Sequence, residues 1–153
     1  MGLIQKIKRE VENAGFAFYY DSGNGLNQLL DGADFSDDKT VVFAFQLSTT
    51  NFVDGKESGS VGLFFARQTN FDFDALENEA IQEATKADAW KFLKQTDHGN
   101  IISVGDVTLR RFYDEFSVNV TGVAVNAVIS EMSGLKDCVS NYLNTFYEHC
   151  NNY

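Results

Sequence analysis

The sequence predicts an α+β domain. In it, an antiparallel or mixed sheet of two hairpins packs one face against an N-terminal helix and a central helix. Two observations support this prediction. Apolar residues recur at helical spacing at the start and in the middle of the chain, and they alternate as in strands between those stretches. The 153 residues suit a single domain with its own core, and residues 130–153 are a candidate C-terminal addition.

The individual elements follow from periodicity and from the turn residues between periodic stretches. In chain order they are a helix over 3–14, a strand over 16–20, a helical turn and loop over 26–38, strands within 41–47 and 61–65, a central helix, strands within 107–113 and 116–129, and a candidate C-terminal helix. Gly15 ends the first helix, and Asp114-Glu115 is the predicted turn of the second hairpin. The segment 48–60 predicts a loop that is too long for a two-residue turn.

The central helix has a clear start signal. Asp74 can accept a hydrogen bond from the first free N–H groups, and Glu77 stands at the capping-box spacing. A stripe of mostly small apolar residues is expected to pack on the sheet. Its members are Leu76, Ala80, Ala84, Ala87 and Leu93.

The last strand is apolar on both faces, whereas a half-exposed antiparallel strand should alternate. Val123 and Val125 share one face, and Ala124 and Val128 share the other. If helices cover one face, something else must cover the second. The chain's own loops, another subunit and a ligand cavity all remain open as explanations.

The formal net charge is -10, from 22 acidic and 12 basic residues. Direct binding of nucleic acid is not expected, because it needs a basic surface to displace counterions from phosphates. The start of the chain lacks the apolar core of a signal peptide, and no apolar run reaches the roughly 20 residues that span a bilayer. These features favour a cytoplasmic protein without a membrane partner.

No catalytic or cofactor motif is present, so the sequence predicts a non-enzyme with no cofactor and no metal. His98 and His149 are the only histidines, and both are expected to be solvated. Four aspartates could gather around a calcium ion, but they lack EF-hand spacing, so a solvated loop is favoured. They are Asp31, Asp34, Asp37 and Asp38.

Three stretches carry a resemblance to a known group of proteins. They are Val61-Gly-Leu-Phe-Phe, Phe71-Asp-Phe-Asp-Ala-Leu-Glu and Phe116-Ser-Val-Asn-Val-Thr-Gly-Val. With the order of elements over residues 3–129, they resemble small phage tail proteins of the tail-terminator and tail-completion group. The resemblance implies a phage or prophage structural protein that forms a homo-oligomeric ring at the end of the tail tube. It also implies contacts with tail-tube or other virion proteins, and a location first in the host cytoplasm and then in the virion.

The candidate interaction residues come from three features. They are Asn51, Asp54 and Lys56 in the long loop, Arg110 and Arg111 beside the second hairpin turn, and Val123 and Val125 in the last strand, which is apolar on both faces. Two alternatives belong to other classes. One is a pocketed domain of the nuclear-transport-factor-like kind, with Asn119, Asn126 and Tyr113 as inward-facing candidates. The other is an acidic protein-interaction module, such as an immunity-type or DNA-mimic protein.

Overall fold

The fold is known from a computed structural model. It describes residues 2–21, 25, 26, 30, 32, 39–47, 49–69, 74–115 and 119–132, without the side chains of residues 114 and 115. Most of the predicted turn and acidic loop over 26–38 lies outside these residues, and so does the whole candidate C-terminal helix.

The described chain forms an α+β fold, as predicted. Its elements are α1 (Leu3–Asn13), β1 (Ala17–Asp21), β2 (Val41–Phe45), β3 (Asn51–Val53), β4 (Lys56–Gln68), α2 (Ala75–His98), β5 (Ile102–Glu115) and β6 (Val120–Glu131). The strands make one sheet in the order β1-β2-β4-β6-β5, and β3 pairs with β4 outside that path. The sheet is mixed, because β1 runs parallel to β2 while the other pairs are antiparallel.

The first helix follows the sequence prediction closely. Leu3, Ile7 and Val11 are buried on one face, as their spacing requires. Gly15 follows with φ of 97°, a left-handed conformation that glycine adopts without a steric penalty. The chain can therefore turn directly from α1 into β1, which begins at Ala17.

Residues 49–60 do not form the long loop that the sequence predicts over 48–60. Asp54 and Gly55 have φ of 54° and 76°, which is the geometry of a two-residue hairpin turn of type I′. Val53 lies opposite Lys56 across this turn. The prediction was wrong because the residues that follow, such as Glu57 and Ser58, are polar. They lack the alternating apolar pattern by which a strand is recognised in a sequence.

The start of α2 is confirmed, but most of its predicted buried stripe is wrong, although Leu93 does pack against the core. Asp74 Oδ1 accepts a hydrogen bond from the Glu77 N–H at 2.9 Å. The buried positions are Thr85, Ala89, Phe92 and Thr96, whereas the predicted Leu76 is 75% exposed. The threonine hydroxyls can be buried because they bond to helix carbonyls; Thr85, for example, donates to the Ile81 carbonyl at 2.9 Å.

The second hairpin turns later than predicted. β5 continues through Asp114 to Glu115, and β6 starts at Val120. Because β5 lies at the edge of the sheet, acidic residues are tolerated there and do not signal a turn. Gly122 in β6 allows a close approach to β4, since a Cβ atom there would lie 1.9 Å from the Phe65 carbonyl oxygen.

The sheet has a buried helix face and a second face that we call the far face. The core on the helix face joins both helices to the central strands. It includes Leu3, Ile7, Val11, Val42, Leu63, Phe65, Phe92, Val123, Val125 and Ile129. A smaller cluster forms on the far face around Val41, Phe43 and Ala124, where Leu26 and Leu30 pack against the sheet. The chain itself therefore covers one end of the far face.

Candidate functional site

The far face is built on stacked aromatic rings at its centre. The Phe64 ring lies parallel to Phe43, with centroids 5.0 Å apart, and it meets Phe45 edge-on at 5.7 Å. Phe112 of β5 approaches the same ring edge-on at 5.7 Å. These contacts hold an apolar floor in a fixed geometry.

Beyond the part covered by Leu26 and Leu30, the far face opens into a cleft of about 410 Å³, which we call the sheet cleft. The described residues that line it are Phe45, Gln46, Leu47, Thr49, Ser60, Gly62, Phe64 and Asn126. None of these is charged, although the chain carries a formal charge of -10. Val128, which lies opposite Ser60, is 52% exposed beside the cleft.

Glycine and backbone contacts set the shape of the sheet cleft. A Cβ atom at Gly62 would lie 3.0 Å from Asn126 Oδ1. The absence of a side chain at Gly62 therefore leaves space in the cleft where β4 pairs with β6. At the rim, the Leu47 N–H donates to the Tyr20 hydroxyl at 2.7 Å. The cleft is therefore a feature of the sheet, fixed by its strands.

A projecting hairpin lies next along β4. We call β3, its turn and the first residues of β4 (residues 51–58) the hairpin arm. Phe52 and Val53 are 72% and 62% exposed near its tip. Large apolar side chains at the tip of a polar hairpin are a surface feature that folding alone does not require.

A polar network ties the base of the hairpin arm to the body of the protein. Glu57 accepts hydrogen bonds from the Thr50 hydroxyl at 2.8 Å and from the Leu3 N–H at 3.3 Å. The Glu57 N–H donates to Glu131 at 2.9 Å, and Lys6 forms an ion pair with Glu131 at 2.8 Å. The hydrogen bond from Lys6, helped by the Glu57 N–H, holds the pKa of Glu131 below its usual value.

A second cleft of about 400 Å³ lies between α2 and β5, which we call the helix–strand cleft. Its described lining is Ala75, Asn78, Glu79, Gln82, Arg111 and Tyr113. The Oδ1 atom of Asn78 is buried and has no hydrogen-bond partner. Arg111 pairs with Glu83 and with Glu79, the latter at 3.9 Å.

The predicted interaction residues are distributed over several surfaces. Asn51, Asp54 and Lys56 belong to the hairpin arm. Arg110 lies on the far face, opposite Ala124, with its guanidinium 5.9 Å from the Phe112 ring centroid. The sequence analysis placed Arg110 and Arg111 together beside the second hairpin turn. In the structure, Arg111 lies on the other face of β5, against α2.

The placement of two further predicted residues does not fit an interaction role. Val123 and Val125 are 0% and 1% exposed and face the helices, so they have no surface that a partner could reach. Only the opposite side of the same strand, at Asn126 and Val128, is exposed.

No family model and no curated protein matches the chain. Among the described residues, no three His, Cys, Asp or Glu side chains gather in a way that could hold a metal ion. The aspartates considered for calcium, His149 and both cysteines lie outside those residues, and His98 is exposed at the end of α2. Within the same residues, no helix has both the length and the apolar character needed to cross a membrane.

Sequence reasoning missed the apolar tip and most of the sheet cleft. The tip had a detectable signal, because Phe52 and Val53 directly precede the Asp-Gly pair of a hairpin turn. The cleft had none, because Gly62, Ser60 and Asn126 meet only through the register of β4 and β6.

Proposed function

We propose that the protein is a non-enzymatic structural subunit of a phage or prophage tail, of the terminator or completion kind, that joins copies of itself into a ring. The observation that carries the proposal is the sheet cleft, an uncharged, partly apolar concavity on a rigid sheet of an acidic protein. Exposed apolar surface of this kind is typical of interaction sites. The proposal also draws on the resemblance in the order of helices and strands that the sequence suggests to that group of tail proteins.

Two of the described carboxylates are held in their charged form by neighbouring lysines. Glu83 and Glu131 both have lowered pKa values, in each case because a lysine donates a hydrogen bond to the carboxylate. A catalytic acid or base is more often tuned toward neutral pH by burial. Neither of these two carboxylates is tuned in that way.

A second candidate function is a pocketed domain that binds a small molecule. The observation that favours it is the helix–strand cleft, because the buried Oδ1 of Asn78 could accept a hydrogen bond from a ligand. The amide of Gln82 is already used, since it donates to the Phe112 carbonyl at 3.0 Å.

The mass of the protein in solution tests the assembly proposal. Light scattering over a concentration series should show a step from the monomer to one defined larger species, and electron microscopy of that species should show rings. A monomer at every concentration would count against the proposal and would favour the pocketed domain. Screening small molecules against the wild type and an Asn78→Ala variant would then be decisive.

A further inference from the structure

We propose that the hairpin arm of one copy inserts Phe52 and Val53 into the sheet cleft of a second copy. The inference rests on the proposed self-assembly and names the two surfaces that meet. It follows from a property of one chain: an exposed apolar projection and an uncharged concavity of moderate size occur together on the same sheet.

The hairpin arm is suited to insertion because it is held in position before binding. The network of Glu57 with Thr50 and Leu3 fixes its base, and Asp54-Gly55 closes its tip in two residues. A pre-ordered arm loses little conformational entropy when it docks. More of the free energy gained by burying its apolar side chains therefore contributes to the binding affinity.

The tip of the arm lies outside the cleft of its own chain, since Phe52 is 72% exposed and is not among the lining residues. A single continuous strand, β4, leads from Lys56 beside the tip to Ser60 and Gly62 in the cleft. At about 3.3 Å per residue, Lys56 and Gly62 are held roughly 20 Å apart. An arm that inserts into a sheet cleft must therefore belong to a different molecule from that cleft.

Charge is compatible with a second copy as the occupant of the cleft. The described lining of the cleft is uncharged, so a docking Phe52 meets no carboxylate there. Arg110 shares the far face in the same cross-strand row as Phe64, two strands or about 10 Å away. The exposed Asp54 at the tip of a docked arm would bring a carboxylate toward this cation, which orients the contact more than it strengthens it.

The contact is small, and its geometry is compatible with closure into a ring. An aromatic side chain buries roughly 150–250 Å², so one arm contributes far less than the roughly 1,200–2,000 Å² of a stable interface. The arm and the cleft are different surfaces, so each copy gives one contact and receives another. Such a heterologous contact forms a ring when the rotation closes, and closure makes each weak contact stronger by avidity.

Two variants that each remove one side of the contact test the inference. Phe52→Asp puts a charge on the arm, and Ser60→Trp fills the cleft from an exposed position. Each alone should raise the concentration at half-assembly at least tenfold. Leu76→Asp is the matched control, since Leu76 is 75% exposed at the start of α2, and it should assemble like the wild type.

Mixing the two variants gives the most specific result. The Ser60→Trp copy keeps an intact arm and the Phe52→Asp copy keeps an intact cleft, so the mixture can make one arm-and-cleft contact without ring closure. At concentrations well above the half-assembly point of the wild type, the mixture should therefore form dimers, detected by sedimentation, that neither variant forms alone. Circular dichroism confirms that both variants are folded. If Phe52→Asp assembles like the wild type, or if the mixture stays monomeric, the arm-and-cleft contact is wrong while self-assembly stands. If the wild type is itself a monomer, both proposals fail.

Discussion

Single residues in β6 show how burial decides the effect of a substitution. Val125 is 1% exposed against the helices, whereas Val128, on the far face of the same strand, is 52% exposed. A Val125→Asp substitution buries an unpaired carboxylate and should destabilise the fold by about 4 kcal/mol or more. Urea unfolding measures this free energy.

The control for Val125→Asp is Val128→Asp, which makes the same chemical change at a solvated position. Its cost should stay near 0.5 kcal/mol, as is usual for surface positions. Similar losses at both positions would mean that the far face is covered in solution, contrary to the exposure of Val128.

The sequence predicted the structure best at positions where a single physical requirement restricts the residue type. Gly15 and Asp74 mark a helix end and a helix start because few residue types suit those backbone positions. The buried face of α2 was missed because Thr85 and Thr96 look polar in sequence. Their hydroxyls bond within the helix, so only their methyl groups need to pack.

At the scale of elements, the anchoring of the hairpin arm to α1 depends on pH. The pKa of Glu131 is lowered in the folded state by Lys6, so folding favours its charged form. The resulting stability is present above the unfolded pKa of about 4.3 and is lost as pH falls through the lower folded value. Glu131→Gln should therefore cost about 1 kcal/mol at pH 7 and much less near pH 3.

Thermal unfolding of wild type and Glu131→Gln between pH 7 and pH 3 checks this prediction. The matched control is Glu12→Gln, which removes the exposed pair of Lys8 and Glu12 at 3.8 Å and should change stability by only a few tenths of a kcal/mol. A constant difference between wild type and Glu131→Gln at every pH would show that the carboxylate charge is not what holds the arm.

Elements built from contacts distant in sequence were harder to predict than local ones. The helix α1 and the first strands follow from spacing within one stretch of chain. The hairpin arm was mistaken for a loop because its strands are polar, and the sheet cleft depends on the register that sets Gly62 opposite Asn126. The candidate site could therefore be recognised only from the pairing of the strands in the structure.

At the scale of the whole molecule, two opposing forces act on self-assembly. Each copy carries a formal charge of -10, so copies repel one another, while the proposed contact joins the apolar side chains of the arm to an uncharged, partly apolar cleft. Salt screens the repulsion, with a Debye length of about 10 Å at 0.1 M and about 3 Å at 1 M. It leaves apolar burial largely intact.

Assembly of the wild type should therefore strengthen as sodium chloride is raised, and the concentration at half-assembly should fall. Light scattering at several salt concentrations measures it, with Phe52→Asp as the control, whose half-assembly concentration should stay at least tenfold higher. The opposite trend, assembly that weakens with salt, would mean that ion pairs such as Asp54 with Arg110 drive association. The apolar tip would then serve only to position the arm, because a contact driven by burial cannot be weakened by screening the repulsion that opposes it.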